Sequence, residues 1–386
     1  MPVSSRTVRV VGAVLVPCAV LTAVALILLW PSGYEAPRPT GTEQRARGDV
    51  VRVQTEACPP GQQAAPGGTQ VCGQATVRIT EGPGKDSTVT VNLPQGPGAP
   101  TLSAGDKVVL AYVPDAAPGG TQYAVIDHQR GRQLLLMLAL AAAVIVAFGR
   151  WRGLTALVGL GVSFAVLLLF MIPSILDGEP PLLVAIVGSS AIMFAVLYLT
   201  HGINVNTSVA ILGTLASLVI TGLLAAAFTA TTELTGFGNE ESLYLSIMQR
   251  DVDMRGILLA GIIIGALGVL DDLTVTQATT VAELARSPTS RLELYRSATR
   301  VGRAHVASAV NTIVLAYAGA SLPLLLLVAA GGQAVSDILT SQFIAQEIVR
   351  SAVGTIGLVA VVPITTALAS LVADVHPPVL RRNARD

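Results

Sequence analysis

The sequence predicts an α-helical integral membrane protein of about eight transmembrane helices, with a small extracytoplasmic all-β domain, of OB or SH3-like type, between the first and second. Three observations carry this. The 386 residues are 52% hydrophobic and only 12% charged, with a mean hydropathy of +0.65, which is not a soluble globular composition. Apolar runs long enough to cross a bilayer core of roughly 30 Å, about 20 helical residues, recur along the chain. Between residues 31 and 132 they give way to short alternating segments punctuated by turn residues.

The runs are approximately residues 10–30, 134–148, 154–172, 182–199, 208–230, 257–270, 308–330 and 352–373. The first reads as an uncleaved signal anchor. A cleaved signal peptide is the alternative, since Arg6 and Arg9 precede it, but the run is longer than an h-region and no A-x-A site follows Trp30. Orientation follows from the arginines. With the N-terminus inside, the cytoplasmic segments hold twelve: Arg6, Arg9, Arg150, Arg152, Arg286, Arg291, Arg296, Arg300, Arg303, Arg381, Arg382 and Arg385. The three short outside loops hold Arg250, Arg255 and Arg350 among nine acids. An even number of spans returns the C-terminus to the cytoplasm. The expected domains are thus residues 1–30, cytoplasmic N-terminus and anchor; 31–132, extracytoplasmic β-rich domain; 133–375, seven-helix membrane domain; and 376–386, cytoplasmic basic tail. Richness in Ala, Val, Gly and Arg, with Lys only at Lys85 and Lys107, suggests a GC-rich bacterium and its plasma membrane.

In the outside domain the expected strands are 50–55, 74–80, 87–93, 107–113 and 122–127. Cys58 and Cys72 both fall there, and a bridge between them closes the Gly/Pro-rich loop 59–68. An oxidising compartment favours that disulfide over two free thiols. Cys18, in the first span, reads as packing.

The second half resembles the YibE/F family of bacterial membrane proteins. The resemblance rests on Gly265-Ala266-Leu267-Gly268 followed by Asp272 and Glu283-Leu284, on Gly302-Arg303 with Asn311-Thr312, and on the run from Ala316 through Tyr317 to Pro323. It continues in Glu347-Ile348-Val349-Arg350-Ser351 with Gly354, Gly357 and Pro363-Ile364-Thr365-Thr366, and in Thr200-His201-Gly202 with Asn206-Thr207. It covers roughly residues 130 to 375 and the exported domain more weakly. It implies a multi-pass membrane protein and brings no catalytic residues.

Candidate chemistry centres on the sixth span. Its fourteen apolar residues reach about 21 Å, short of the core. Either Asp271 and Asp272 enter the membrane, or the amphipathic stretch 241–255 dips in from outside. If the helix continues past the aspartates, Asp272, Thr276, Thr279 and Glu283 form one polar stripe with Asp272 facing the bundle. The stripe fits an ion or substrate path; the bland reading is a polar face that caps the span in water. Ser290-Arg291-Leu292-Glu293 is a capping box, and the helix it starts carries Arg296, Arg300 and Arg303 as a basic face beside the membrane. Two late spans look interrupted, by residues 319–323 ending in Pro323 and by Pro363, with Asn311 and Tyr317 adding hydrogen-bonding groups; paired breaks can mark transporter sites, or simply packing.

The charge balance, 24 basic against 24 acidic residues, gives no reason to expect nucleic acid. His201 and His305 lack a second ligand at metal spacing, and no Walker A, HExxH or GxSxG motif occurs, so no metal, cofactor or enzyme activity is expected. The leading expectation is a transporter or permease-like protein for a small solute or envelope component. The alternative is an envelope scaffold or assembly factor whose β domain binds a partner. Expected partners are the lipid bilayer and either a second copy or another envelope protein.

Overall fold

The computed structural model of the chain describes residues 5–33, 44–56, 58, 72–96, 98–114, 122–238, 240–249, 252–287, 289–330 and 335–375. The expected loop 59–68 and basic tail 376–386 lie outside them. The chain divides into two compact units, Glu35–Phe148 and Met1–Tyr34 with Gly149–Asp386.

The first unit is built on one antiparallel sheet of β1 (Gln44–Glu56), β2 (Cys72–Glu81), β3 (Thr88–Asn92), β4 (Lys107–Tyr112) and β5 (Tyr123–His128), in the order β3-β2-β1-β4-β5. The five expected strands are all present. Only β1 is much longer than the alternation implied, because its start pairs with β4 while the rest pairs with β2. The period-two pattern buries Ala46, Val50, Ala75, Val77, Ile79, Val91, Val108 and Leu110 in one core. Cys58 and Cys72 are joined in a disulfide with their Cα atoms 5.1 Å apart. Helix α2 (Gly131–Val166) follows β5 after two residues.

The second unit is helical. It begins with α1 (Ser5–Leu28) and resumes in the latter part of α2, which passes through a π-helical turn, Leu167–Met171, into α3 (Ile172–Leu176). There follow α4 (Pro181–His201), α5 (Val205–Thr231), α6 (Glu240–Met248), α7 (Met254–Leu284), α8 (Arg291–Ala320), α9 (Leu322–Ala330), α10 (Val335–Thr340) and α11 (Gln342–Val372). The end of α1 is tied to α3. Trp30 stacks on Phe170 with ring centroids 5.9 Å apart, Ser174 Oγ donates to the Leu29 carbonyl, and Asp177 accepts from the Ser32 and Gly33 amides.

Among the described residues, six helices are long and apolar enough to cross a membrane, against the eight runs expected. The difference has two sources. Runs 134–148 and 154–172 fall in one 46-residue stretch, Gly131–Leu176, broken by non-helical backbone at Arg150 (φ 51°, ψ −127°). Run 308–330 is divided at Ser321 between α8 and α9.

The interrupted-helix expectation is half corrected. Pro323 does sit in the first turn of α9, just past a break, where its missing N–H would lack a helical partner anyway. Pro363 lies inside α11, which continues as one helix for 31 residues, and its ring is exposed. The sixth span is not short: α7 also runs 31 residues, about 46 Å, straight through Asp271 and Asp272.

Local signals explain the helix ends. Gly202, at φ 77°, terminates α4, and the Asn204 side chain accepts from the Thr207 amide to start α5. At α8 the Ser290–Glu293 capping box is closed in both directions. The Ser290 amide bonded to Glu293 holds that carboxyl below its ordinary value. The cap is therefore intact at neutral pH and is lost only as pH falls through the lowered carboxyl range. In the full-length protein at pH 7, Ser290→Ala should speed hydrogen exchange at residues 292–294 about fivefold, the effect of a cap worth ~1 kcal/mol. Unchanged exchange would show that the box contributes nothing.

Candidate functional site

The centre of the helical unit is the junction of α5, α7 and α11. Its hydrophobic part includes Ile211, Leu218, Ile263, Leu270, Leu273, Leu358 and Val361. A polar seam runs through it. On α5, Thr214, Ser217, Thr221 and Thr229 recur along one face and are each fully buried. The first three return their hydroxyl protons to the carbonyls of Ala210, Gly213 and Ser217 one turn back.

Small residues let the three helices close on that seam. A Cβ at Gly213 would overlap Thr365, and one at Gly357 would overlap Thr221, so α5 and α11 touch through glycine on alternate sides. Thr214 Oγ1 and Thr274 Oγ1 share a hydrogen bond of 2.7 Å between α5 and α7. Gln277, only 2% exposed, donates both to the Ala298 carbonyl of α8 (2.9 Å) and to Thr366 Oγ1 of α11 (2.7 Å). Seven other side-chain atoms in this unit, Ser189 Oγ, Thr229 Oγ1, Thr299 Oγ1, Gln346 Nε2, Arg350 Nε, Thr365 Oγ1 and Ser370 Oγ, are buried with no partner among the described residues. On α11 the inward stripe from Gln346 to Ser370 extends 24 residues, about 36 Å, comparable with a bilayer core.

At one end the seam meets open grooves. Arg152, Thr200, His201, Asp271, Asp272 and Thr279 are among the residues lining a groove of about 550 Å³. His201 and Thr279 also border a recess of about 140 Å³ with Asn204, Asn206 and Thr207, and Asn206 in turn borders a third, of about 220 Å³, with Arg286 and Asp374. His201 feels the charges of both Arg152 and Asp272, and its Nδ1 is 2.8 Å from Thr200 Oγ1. Two carboxylates, an imidazole and a guanidinium around one opening can exchange protons or hold a hydrated ion.

The structure redistributes the expected site residues. Asp272, Thr276, Thr279 and Glu283 do share one side of α7, but Asp272, Thr279 and Glu283 are exposed rather than turned into the bundle. Asp271 is the more enclosed aspartate, and Glu283 pairs with Arg286 at 3.1 Å. The interior polar groups of α7 are Thr274 and Gln277, which lie off the expected stripe. Asn311 and Pro323 are exposed, and Tyr317 is half-buried with its hydroxyl close to Gly265. Near Tyr317, the half-buried Glu347 and Arg350 pair at 2.9 Å within α11 rather than in a loop. Gln277 was discoverable in principle: it lies four residues from Leu273 and Val281, on the apolar face of the helix.

Two substitutions separate a bonded seam from an unbonded one. Gln277→Leu breaks two interhelical hydrogen bonds and should lower the stability of the detergent-solubilised protein by about 1–3 kcal/mol, read as an earlier thermal midpoint. Thr365→Val keeps the shape and removes a hydroxyl without a partner, so its midpoint should stay or rise. A loss at Thr365→Val as large as that at Gln277→Leu would show that the hydroxyl is engaged.

Neither a curated protein nor a solved structure matches the chain. A family model described as YibE/F-like protein matches residues 137–375, from the second turn of α2 to past the end of α11. That span holds the whole seam and every groove-lining residue named above. With more than half of its length matched, the chain belongs to the YibE/F-like family.

Proposed function

We propose that the protein is a transporter, or permease-like protein, for a small solute or envelope component, rather than an enzyme, and that its path follows the α5–α7–α11 seam. The observations that carry this reading are the unpartnered polar atoms on α11, at Gln346, Arg350, Thr365 and Ser370, and the groove lined by Asp271, Asp272 and His201 on the neighbouring helices. In hydrocarbon such atoms cost free energy unless water, protein or a passing solute satisfies them. Asp271, the more enclosed carboxylate, is the coupling group in this reading, and Asp272 belongs to the groove wall.

The same reading takes the chain as eight crossings of a bacterial plasma membrane. The 46 residues of Gly131–Leu176 amount to about 69 Å of helix, over twice what a bilayer core takes, and the break at Arg150 is read as the division between two spans. Helix α8 continued through Ser321 into α9 supplies the eighth. Arg152, His201, Arg286 and Asp374 come from four chain segments assigned to the cytoplasmic side, and they line neighbouring recesses at one end of the bundle. The β domain then lies outside, its strand order and the Tyr123–Pro83 bond between β5 and the β2–β3 turn fitting an OB-type barrel.

Reporter fusions after Arg152, after Arg303 and at Asp386 should all read cytoplasmic; one that reads outside breaks the eight-span arrangement. Single cysteines placed at Thr279, Thr365 and Ser370, with Cys18 replaced by alanine, test the path in membranes. All three should react with a membrane-impermeant thiol reagent added from the cytoplasmic side. If Thr279→Cys reacts and the other two stay silent, the seam is dry, and the scaffold reading replaces transport. In a complemented deletion strain Asp271→Asn should abolish function without preventing insertion, because an amide cannot exchange a proton, and Asp272→Asn should be milder.

A further inference from the structure

A second opening lies wholly within the β-containing unit. Where β5 passes into α2, a cleft of about 760 Å³ is lined by Arg47, Lys107, Arg130 and Arg132, together with His128 and a single acid, Asp106. The frame around it is held by hydrogen bonds. The Gln129 amide donates to the Lys107 carbonyl at 2.7 Å and its side chain to the Val108 carbonyl at 2.8 Å, which fixes the two-residue connection into α2 against strand β4. Asp106 is occupied by the Ser103 amide.

The four cations are not equivalent. Arg47 pairs with Glu81 at 2.8 Å, and Arg130 with Asp127 at 2.6 Å, an interaction that holds the Asp127 carboxyl below its usual range. Among the described residues Lys107 and Arg132 form no ion pair. Two cations without ion pairs line one cleft; Glu81, Asp127 and Asp106 are engaged, and Asp49, across the strands from Lys107, forms no ion pair with it, which leaves a site suited to an anion.

Its position identifies the anion's carrier. Two residues beyond Arg132, α2 becomes apolar and outward-facing: Leu134, Leu135, Leu136, Met137 and Leu138 are 50% to 68% exposed. The cleft thus sits at the first turn of a helix whose next turns present only hydrocarbon, at the level where a bilayer places its headgroups. A soluble phosphate would use the cations and ignore the helix. A phospholipid uses both.

We propose that this cleft binds the phosphate of an anionic phospholipid headgroup, through Lys107 and Arg132, with the acyl chains lying along residues 134–138 of α2. The site is independent of the transport reading, because it lies in the other unit and shares no residue with the seam or its grooves. It anchors the base of the β domain to the membrane surface, a role open to a transporter and a scaffold alike.

The test uses the full-length protein in an uncharged detergent, with native mass spectrometry counting retained lipid. Wild type should hold one phosphatidylglycerol more firmly than phosphatidylcholine. The double variant Lys107→Gln/Arg132→Gln should bind that lipid about 25-fold more weakly, about fivefold for each surface cation lost. Lys107→Arg/Arg132→Lys should retain it, which separates charge from misfolding, and Arg52→Gln, on an exposed part of β1 away from the cleft, should have no effect. Equal retention by the wild type and the double variant, or equal binding of the two lipids, overturns the proposal. Displacement of the bound lipid by inorganic phosphate at matching concentration overturns the lipid assignment in favour of a soluble anion.

Discussion

Everything in the helical unit depends on how polar groups are kept satisfied where water is scarce. In hydrocarbon a backbone must bond to itself, and helices do so; side-chain hydroxyls have to find a carbonyl on their own helix or a partner on the next. Thr214, Ser217, Thr221 and Thr366 take the first course. Gln277 and the Thr214–Thr274 pair take the second and bind α5, α7, α8 and α11 to one another. Glycines 213 and 357 make this reachable, since without a side chain there the two helices close to contact. The junction is therefore polar and close-packed at once. The atoms it leaves unpaired are where the unit departs from simple packing.

That departure has a direction. The unpaired groups, Arg350 Nε among them, lie on the inner stripe of α11 and its neighbours, with Glu347 and Arg350 toward the start of α11 and Asp271, Asp272, His201 and Arg152 in the groove beside α7. Charges placed near the ends of membrane-length helices cost far less than charges at the middle, because a side chain there reaches water or headgroups. Uncharged hydroxyls and amides can occupy the depth between at a smaller cost.

The β-containing unit solves the opposite problem. Its sheet draws its stability from one apolar face, with Val77, Ile79, Val108 and Leu110 fully buried, and from the Cys58–Cys72 bridge. Its junction with α2 is short and hydrogen-bonded through Gln129, which leaves little freedom between sheet and helix.

The sequence by itself determined the class of fold, because the relevant signals are local. Length and apolarity mark a membrane helix, alternation marks a strand, and Ser290 with Glu293 marks a helix start; each needs no knowledge of what lies across from it. The five strands, the long apolar helices and the capping box were legible for that reason. Only the tertiary structure decided which face of a helix is inside. Asp272 and Thr274 differ by two positions, roughly 200° around α7, and the choice between them was made by α5 and α11 pressing on Thr274 and Gln277. The continuity of α7 past its aspartates and of α11 past Pro363 was likewise hidden, since a charge pair or a proline reads as an end until neighbouring helices are seen to enclose the turns beyond it.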